Sequence, residues 1–121
     1  MADLGIITEY CIGKKGVEET FPFDEVTLVY KVMGKMFALV PTAKENLSIN
    51  LKCDPERAEI LREQYDGIKP GFHMSKKHWN TIHFDGSVPD RLIFELIDHS
   101  YDLVVKSLTR TLRDELNLMR K

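Results

Sequence analysis

The richest concentration of chemistry-bearing side chains lies in His73-Met74-Ser75-Lys76-Lys77-His78-Trp79-Asn80. Two adjacent lysines can neutralise phosphates while an indole or imidazole stacks on a base or sugar, a combination suited to holding a nucleic-acid backbone. Lys69 extends the same positive stretch. The binding residues expected on this reading are Lys69, His73, Lys76, Lys77, His78 and Trp79. The plainer alternative places Trp79 in the core and leaves the lysines on a solvated turn, because a lone tryptophan in a small domain is usually well buried.

Other chemistries fit the residues less well. His73, His78 and His83 recur at intervals of five, and along a strand an odd interval sends neighbours to opposite faces. A turn could bring His73 near His78, but no cysteine or carboxylate lies close to that pair in sequence to complete a metal set, so neither a metal nor a cofactor is expected. Cys53 precedes a helix start, where the helix dipole lowers a thiol pKa, and a histidine could act as its base. A buried structural thiol is the commoner fate of such a residue. Asp98-His99-Ser100-Tyr101-Asp102 contains the residue types of a catalytic triad, but consecutive helical residues point about 100° apart and the side chains diverge. A hydrogen bond from His99 or Tyr101 to the sheet is the expected role, and no enzymatic activity is expected.

Charge is distributed unevenly. The net charge is −2, which argues against tight binding of a polyanion by the whole surface. From Gly67 to Phe84 there is no acidic residue, and Lys69, Lys76 and Lys77 give +3, rising to +6 if His73, His78 and His83 are protonated. From Asp85 to Leu103, five acids against Arg91 give −4, and the tail from Lys106 to Lys121 returns to +3. No apolar run approaches the ~20 residues of a membrane span. MADLGIITEY lacks the basic start of a signal peptide, so a cytoplasmic location is expected. Two cysteines at unpatterned spacing fit a reducing compartment.

The elements that must position these residues follow from periodicity. With 43% hydrophobic and 30% charged residues, the 121-residue chain reads as one globular domain over 1–121, within which 105–121 can form a separate C-terminal helix. Residues 3–12 read as a short helix. VEETFPF is extended but interrupted by Pro22, which suits an edge or a loop. VTLVYKV and KMFALV, separated by Met33-Gly34, predict a tight hairpin in which Val32 faces Lys35, Tyr30 faces Phe37 and Leu28 faces Leu39. NLSINLK alternates strictly, so one side packs and the other is at least partly wet. Asp54-Pro55 opens a helix that Gly67 is expected to close, and short extended pieces follow near 70–73 and 79–84. Ser87-Val88-Pro89-Asp90 has capping-box spacing ahead of an apolar stripe, Ile93, Ile97, Val104 and Leu108, that Leu112, Leu116 and Met119 continue. A helix of that length exceeds the usual globular range, so a break is expected near residues 107–109. The fold class is α+β, α-β(3)-α-β(2)-α, an antiparallel sheet with helices packed mainly on one face.

FPF, VTLVYKVMGKMFALV, INLKCDPERAEILREQYDGIKPGFHMSKKHWNTI and LIDHSYDLVVKSL, in that order and spacing, resemble the MmcQ/YjbR family over roughly residues 5–108. The chain has Lys14-Lys15-Gly16 where the family usually has Lys-Pro-Gly, Met33-Gly34 where Gly-Gly is frequent, and Thr109 where a proline is common. The resemblance implies an architecture like that of frataxin and secretion chaperones, in small cytoplasmic bacterial proteins with no assigned reaction. It also implies DNA binding through a β-rich "double wing" surface. The expected partner is therefore DNA, approached by the 69–80 segment and the wet face of the sheet. The alternative is a protein partner on the open sheet face or the C-terminal helix. The chain is expected to be a monomer or weak dimer, with no membrane association.

Overall fold

Hydrophobic alternation between Val17 and His83 builds a six-stranded antiparallel sheet, and a computed structural model describes the chain over residues 3–21, 27–41, 47–71 and 75–119. In chain order the elements are α1 (Leu4–Ile12), β1 (Val17–Thr20), β2 (Thr27–Val32), β3 (Lys35–Pro41), β4 (Ser48–Lys52), α2 (Pro55–Gln64), β5 (Ile68–Pro70), β6 (Trp79–His83), α3 (Asp90–Ser107) and α4 (Arg110–Leu118). The strands lie in the order β1-β2-β3-β4-β6-β5. The α+β class and the succession of elements agree with the sequence pattern, and VEET, read as an edge or loop, is the edge strand β1.

All four helices send their buried residues into one core against one sheet face. Ile7 and Cys11 come from α1, Ala58 and Leu61 from α2, Ile93, Leu96, Ile97 and Val104 from α3, and Leu116 from α4. Burying the leucine, isoleucine and valine side chains among these contributes about 1.5–3 kcal/mol each. Asp54 caps α2 by accepting from the Arg57 N–H at 3.2 Å, with Pro55 in the first turn. The long apolar stripe breaks where expected: Leu108 and Thr109 are extended, and Thr109 Oγ1 accepts from the Leu112 N–H at 3.2 Å to start α4. A threonine thus ends one helix and caps the next without the ring of a proline.

Three local expectations are corrected. The hairpin turns at Met33-Gly34, both with positive φ, and Val32 faces Lys35. Between Lys31↔Met36 and Tyr30↔Ala38, however, β3 holds one extra residue, Phe37. Beyond this bulge the register moves by one, so Leu28 faces Val40 and Leu39 crosses to the other face beside Val29. The cause is visible in α3: Ser100 Oγ donates to the Phe37 carbonyl at 2.6 Å, and the Phe37 ring meets Tyr101 edge-on at 5.5 Å. Gly67 does not close α2. Tyr65 caps it in an extended conformation, and a Cβ on Gly67 would lie 2.1 Å from Ser87 Oγ. The Ser87 N–H donates to Asp85 Oδ1 at 2.9 Å within a turn, and α3 begins after Pro89 with no side-chain cap.

Candidate nucleic-acid interface

The Ser75–His78 turn is held by its backbone, which leaves its side chains outside. The Ser75 carbonyl accepts from the N–H groups of His78 and Trp79 at 3.2 and 2.9 Å. The His78 carbonyl accepts from the Cys53 N–H at 2.7 Å, tying the turn to the end of β4. From α2, Arg62 Nε donates to Asn80 Oδ1 at 2.7 Å, and its terminal nitrogen reaches the carbonyls of Lys76 and, at 3.4 Å, Trp79. Asn80 returns a hydrogen bond to the Ala58 carbonyl at 3.5 Å. Such charge-assisted contacts hold a loop in one shape. Ser75, Lys76, Lys77 and His78 are all exposed, as is Lys69 on β5. Among the described residues none of the three lysines has a carboxylate within ion-pair distance. His73 lies outside the described residues.

Two features expected of the surface are absent. Trp79 is only 9% exposed, packed with Val29, Leu39 and Met36 on the face opposite the helices, so its ring has no free face for a base. That face is also not wet in its centre. Ser48, Asn50 and Thr81 are 4, 7 and 6% exposed, with Thr81 Oγ1 donating to Asn50 Oδ1. On central strands, short side chains sink between larger neighbours on the adjacent strands.

The described part of the basic tail, helix α4, does not join the turn. A Cβ on Gly16 would lie 2.4 Å from Leu116 Cδ1 and 3.5 Å from Met119 Sδ and Met33 Sδ, which fixes α4 beside the start of β1 and the β2–β3 turn. The lysine turn precedes β6, and β3 and β4 lie between. Among the described residues the two positive zones are therefore separate.

What faces Lys76 and Lys77 is α2. A cleft of about 370 Å³ is lined by Pro55, Glu56, Glu59, Arg62, Lys76 and Lys77. Sequence reasoning missed Arg62 and the two glutamates. Their spacing of three along α2, which aligns them on one side of the helix, was the available signal.

In the second candidate run, 98–102, the first four side chains are taken up by the fold and Asp102 is exposed. Asp98 accepts from Tyr10 Oη at 2.7 Å and pairs with Lys14 Nζ at 2.5 Å. Lys14 also lies over the rings of Tyr10 and Tyr101, at 5.1 and 4.9 Å. Burial, reinforced by the hydrogen bond to Asp98, pushes Tyr10 up to about 12. His99 Nε2 accepts from the Asp54 N–H at 3.1 Å, and burial followed by the nearby Arg57 charge lowers its pKa. Ser100, fully buried, accepts from the Lys52 N–H at 2.9 Å while donating to Phe37, bridging β3 and β4 where their ladder ends. Tyr101 Oη donates to the Lys15 carbonyl at 2.5 Å. The side chains of Asp98, His99, Ser100 and Tyr101 diverge, as helical geometry requires of consecutive residues. Burial raises Cys11 to about 12 and Cys53 to about 11, which keeps both thiols protonated at neutral pH despite the helix start beside Cys53. Among the described residues, no three of His, Cys, Asp and Glu converge as metal ligands, and no helix is long and apolar enough to cross a membrane.

Comparison with known proteins places these features in a recurrent fold. The YjbR family model matches residues 12–103. YjbR of Escherichia coli K12, an uncharacterised protein, is 37% identical over 102 residues, covering 84% of this chain and 86% of its own. YbdF of E. coli O157:H7, also uncharacterised, is 37% identical over 94 residues, covering 78% and 77%. The crystal structure of a Deinococcus radiodurans protein with a DUF419 domain superposes with a TM-score of 0.91 at 42% identity, covering 98% of this chain and 91% of that one. A Pseudomonas syringae protein structure gives 0.73 at 27% identity, covering 84% and 98%.

Proposed function

The chain belongs to the YjbR family, and from that premise we propose that it binds DNA weakly and with little sequence preference, by the phosphate backbone, through the Ser75–His78 turn. The carrying observation is that Lys76, Lys77 and His78 are exposed side by side on a turn that Arg62 fastens to α2, with neither lysine paired to a carboxylate among the described residues. A pre-shaped loop loses little entropy on binding. Lys69 is exposed on β5 in register with Thr81, apart from the α2 cleft that Lys76 and Lys77 line, and His78, rather than the packed Trp79, supplies the ring that stacks. About two phosphates neutralised by the turn supports affinity in the range of non-specific binding, roughly 10⁻⁴–10⁻⁶ M.

The function is read as binding rather than catalysis. The protonated thiols and the fully engaged Asp98–Tyr101 side chains support this. The site of action is the cytoplasm, as a monomer or weak dimer. Fluorescence anisotropy with generic duplex DNA at low and moderate salt tests the reading: binding that weakens steeply with salt is expected, and no binding at low salt rejects it.

A protein partner is the second reading. On α4, Leu112 and Leu116 dock on the core but Leu118 is 85% exposed, which supports the C-terminal helix as its surface, whereas the second sheet face is buried at its centre. Exposed apolar residues of α1, Ile6, Tyr10 and Ile12, at 48, 36 and 41%, support it as well. A pull-down from nuclease-treated extract distinguishes the two, because only this reading retains a partner.

A further inference from the structure

The cleft beside the lysine turn has two walls of opposite charge. Lys76 and Lys77 form one, and Glu56 and Glu59 on α2 form the other. Arg62 also lines it, but its guanidinium is committed to Asn80 and to the carbonyls of Lys76 and Trp79. Two ammonium groups therefore face two carboxylates. A continuous polyanion filling this space would gain from one wall and be repelled by the other. A ligand carrying an anion at one end and N–H donors at the other meets both walls favourably.

A nucleotide of cytosine, adenine or guanine has that form, with a phosphodiester at one end and the exocyclic amino group of its base at the other. Carboxylates are natural acceptors for the exocyclic amino group of cytosine. The volume of about 370 Å³ falls within the range of small-ligand sites. In a duplex the Watson–Crick donors are already paired, whereas a single strand can splay a base into a cleft. We propose that the cleft between α2 and the Ser75–His78 turn seats one nucleotide of a single strand, with Lys76 and Lys77 on its phosphate and Glu56 and Glu59 accepting hydrogen bonds from base amino groups. This rests on the nucleic-acid reading above and adds to it a strand state and a preference for amino-bearing bases.

The test uses the intact chain and labelled single strands of about twelve nucleotides, long enough for one binding site. Oligo-dC and oligo-dT are compared by anisotropy at near-neutral pH and low salt, with a duplex of the same length. Thymine lacks an exocyclic amino group, so oligo-dC should bind about fivefold more tightly, the lower end of what a matched donor–acceptor pair gives. In Glu56→Ala/Glu59→Ala that ratio should fall to one, while affinity for oligo-dT rises as repulsion is lost. Both positions are exposed on a helix, so the variant should fold, with far-UV circular dichroism as the check. Equal binding of oligo-dC and oligo-dT by the unaltered chain, tighter binding of the duplex than of oligo-dC, or a ratio that survives the glutamate substitutions overturns the inference and leaves backbone binding standing. If no strand binds at low salt, backbone binding falls with it.

Discussion

Residues 75–78 hold Ser, Lys, Lys and His; residues 98–102 hold Asp, His, Ser, Tyr and Asp. Both runs carry the groups from which active and binding sites are made, and the fold uses them in opposite ways. In the first run the backbone makes the structural contacts, with the carbonyls of Ser75, Lys76 and His78 all accepting, and the side chains are left in solvent. In the second, Asp98, His99, Ser100 and Tyr101 are each hydrogen-bonded to a different part of the molecule. The difference teaches that residue type sets what a group can do, and the destination of its hydrogen bonds sets whether it is free to do it.

Substitutions should separate the two regions, and the largest effect is expected at Ser100. Ser100→Ala leaves the Lys52 N–H and the Phe37 carbonyl without their buried partner and should cost about 3 kcal/mol. Urea unfolding measures it, and a loss under about 1 kcal/mol would mean that the bridge matters less than the bulge it accompanies. Arg62→Met should cost less, about 1–2 kcal/mol, because the Lys76 carbonyl lies on an exposed turn and can turn to water, while Asn80, 2% exposed, keeps its bond to the Ala58 carbonyl. It should also speed tryptic cleavage after Lys76 and Lys77, which limited proteolysis would show.

Acid provides a smaller probe. His99 Nε2 must be unprotonated to accept from the Asp54 N–H, and its pKa is lowered by burial first and by Arg57 next, with Lys106 acting the same way and Asp54 and Asp102 opposing. The unfolded chain therefore takes up the proton before the folded one does. Stability from this group is full above the ordinary histidine pKa of 6.5 and declines as pH falls below it. His99→Gln, which keeps an acceptor that does not titrate, should flatten the fall in unfolding midpoint between neutral pH and pH near 5.5. The smallest effect on stability should come from Lys76→Ala with Lys77→Ala, within about 0.5 kcal/mol, as both side chains are exposed and unpaired among the described residues.

What the sequence revealed was mostly local. Asp54-Pro55, the Met33-Gly34 turn and the limit on helix length near Thr109 each depend on a few neighbouring residues, and each is visible in the chain. The bulge at Phe37 was not, because it is fixed by Ser100, 63 positions away. Strict alternation therefore put Leu39 on the wrong face. The burial of Trp79 depends on Val29 and Leu39 meeting it across the sheet, and the place of α4 depends on its approach to Gly16. The lysines were read correctly as exposed, yet the glutamates that face them come from a helix that meets the turn only in three dimensions.

The most direct test of the central claim is the salt dependence of duplex binding for the unaltered chain and for Lys76→Ala/Lys77→Ala. A plot of log affinity against log salt should be linear, and losing two phosphate contacts should flatten its slope by about two units. Parallel lines for the two proteins, or no binding by the unaltered chain at low salt, would contradict the assignment of this turn to a nucleic-acid backbone.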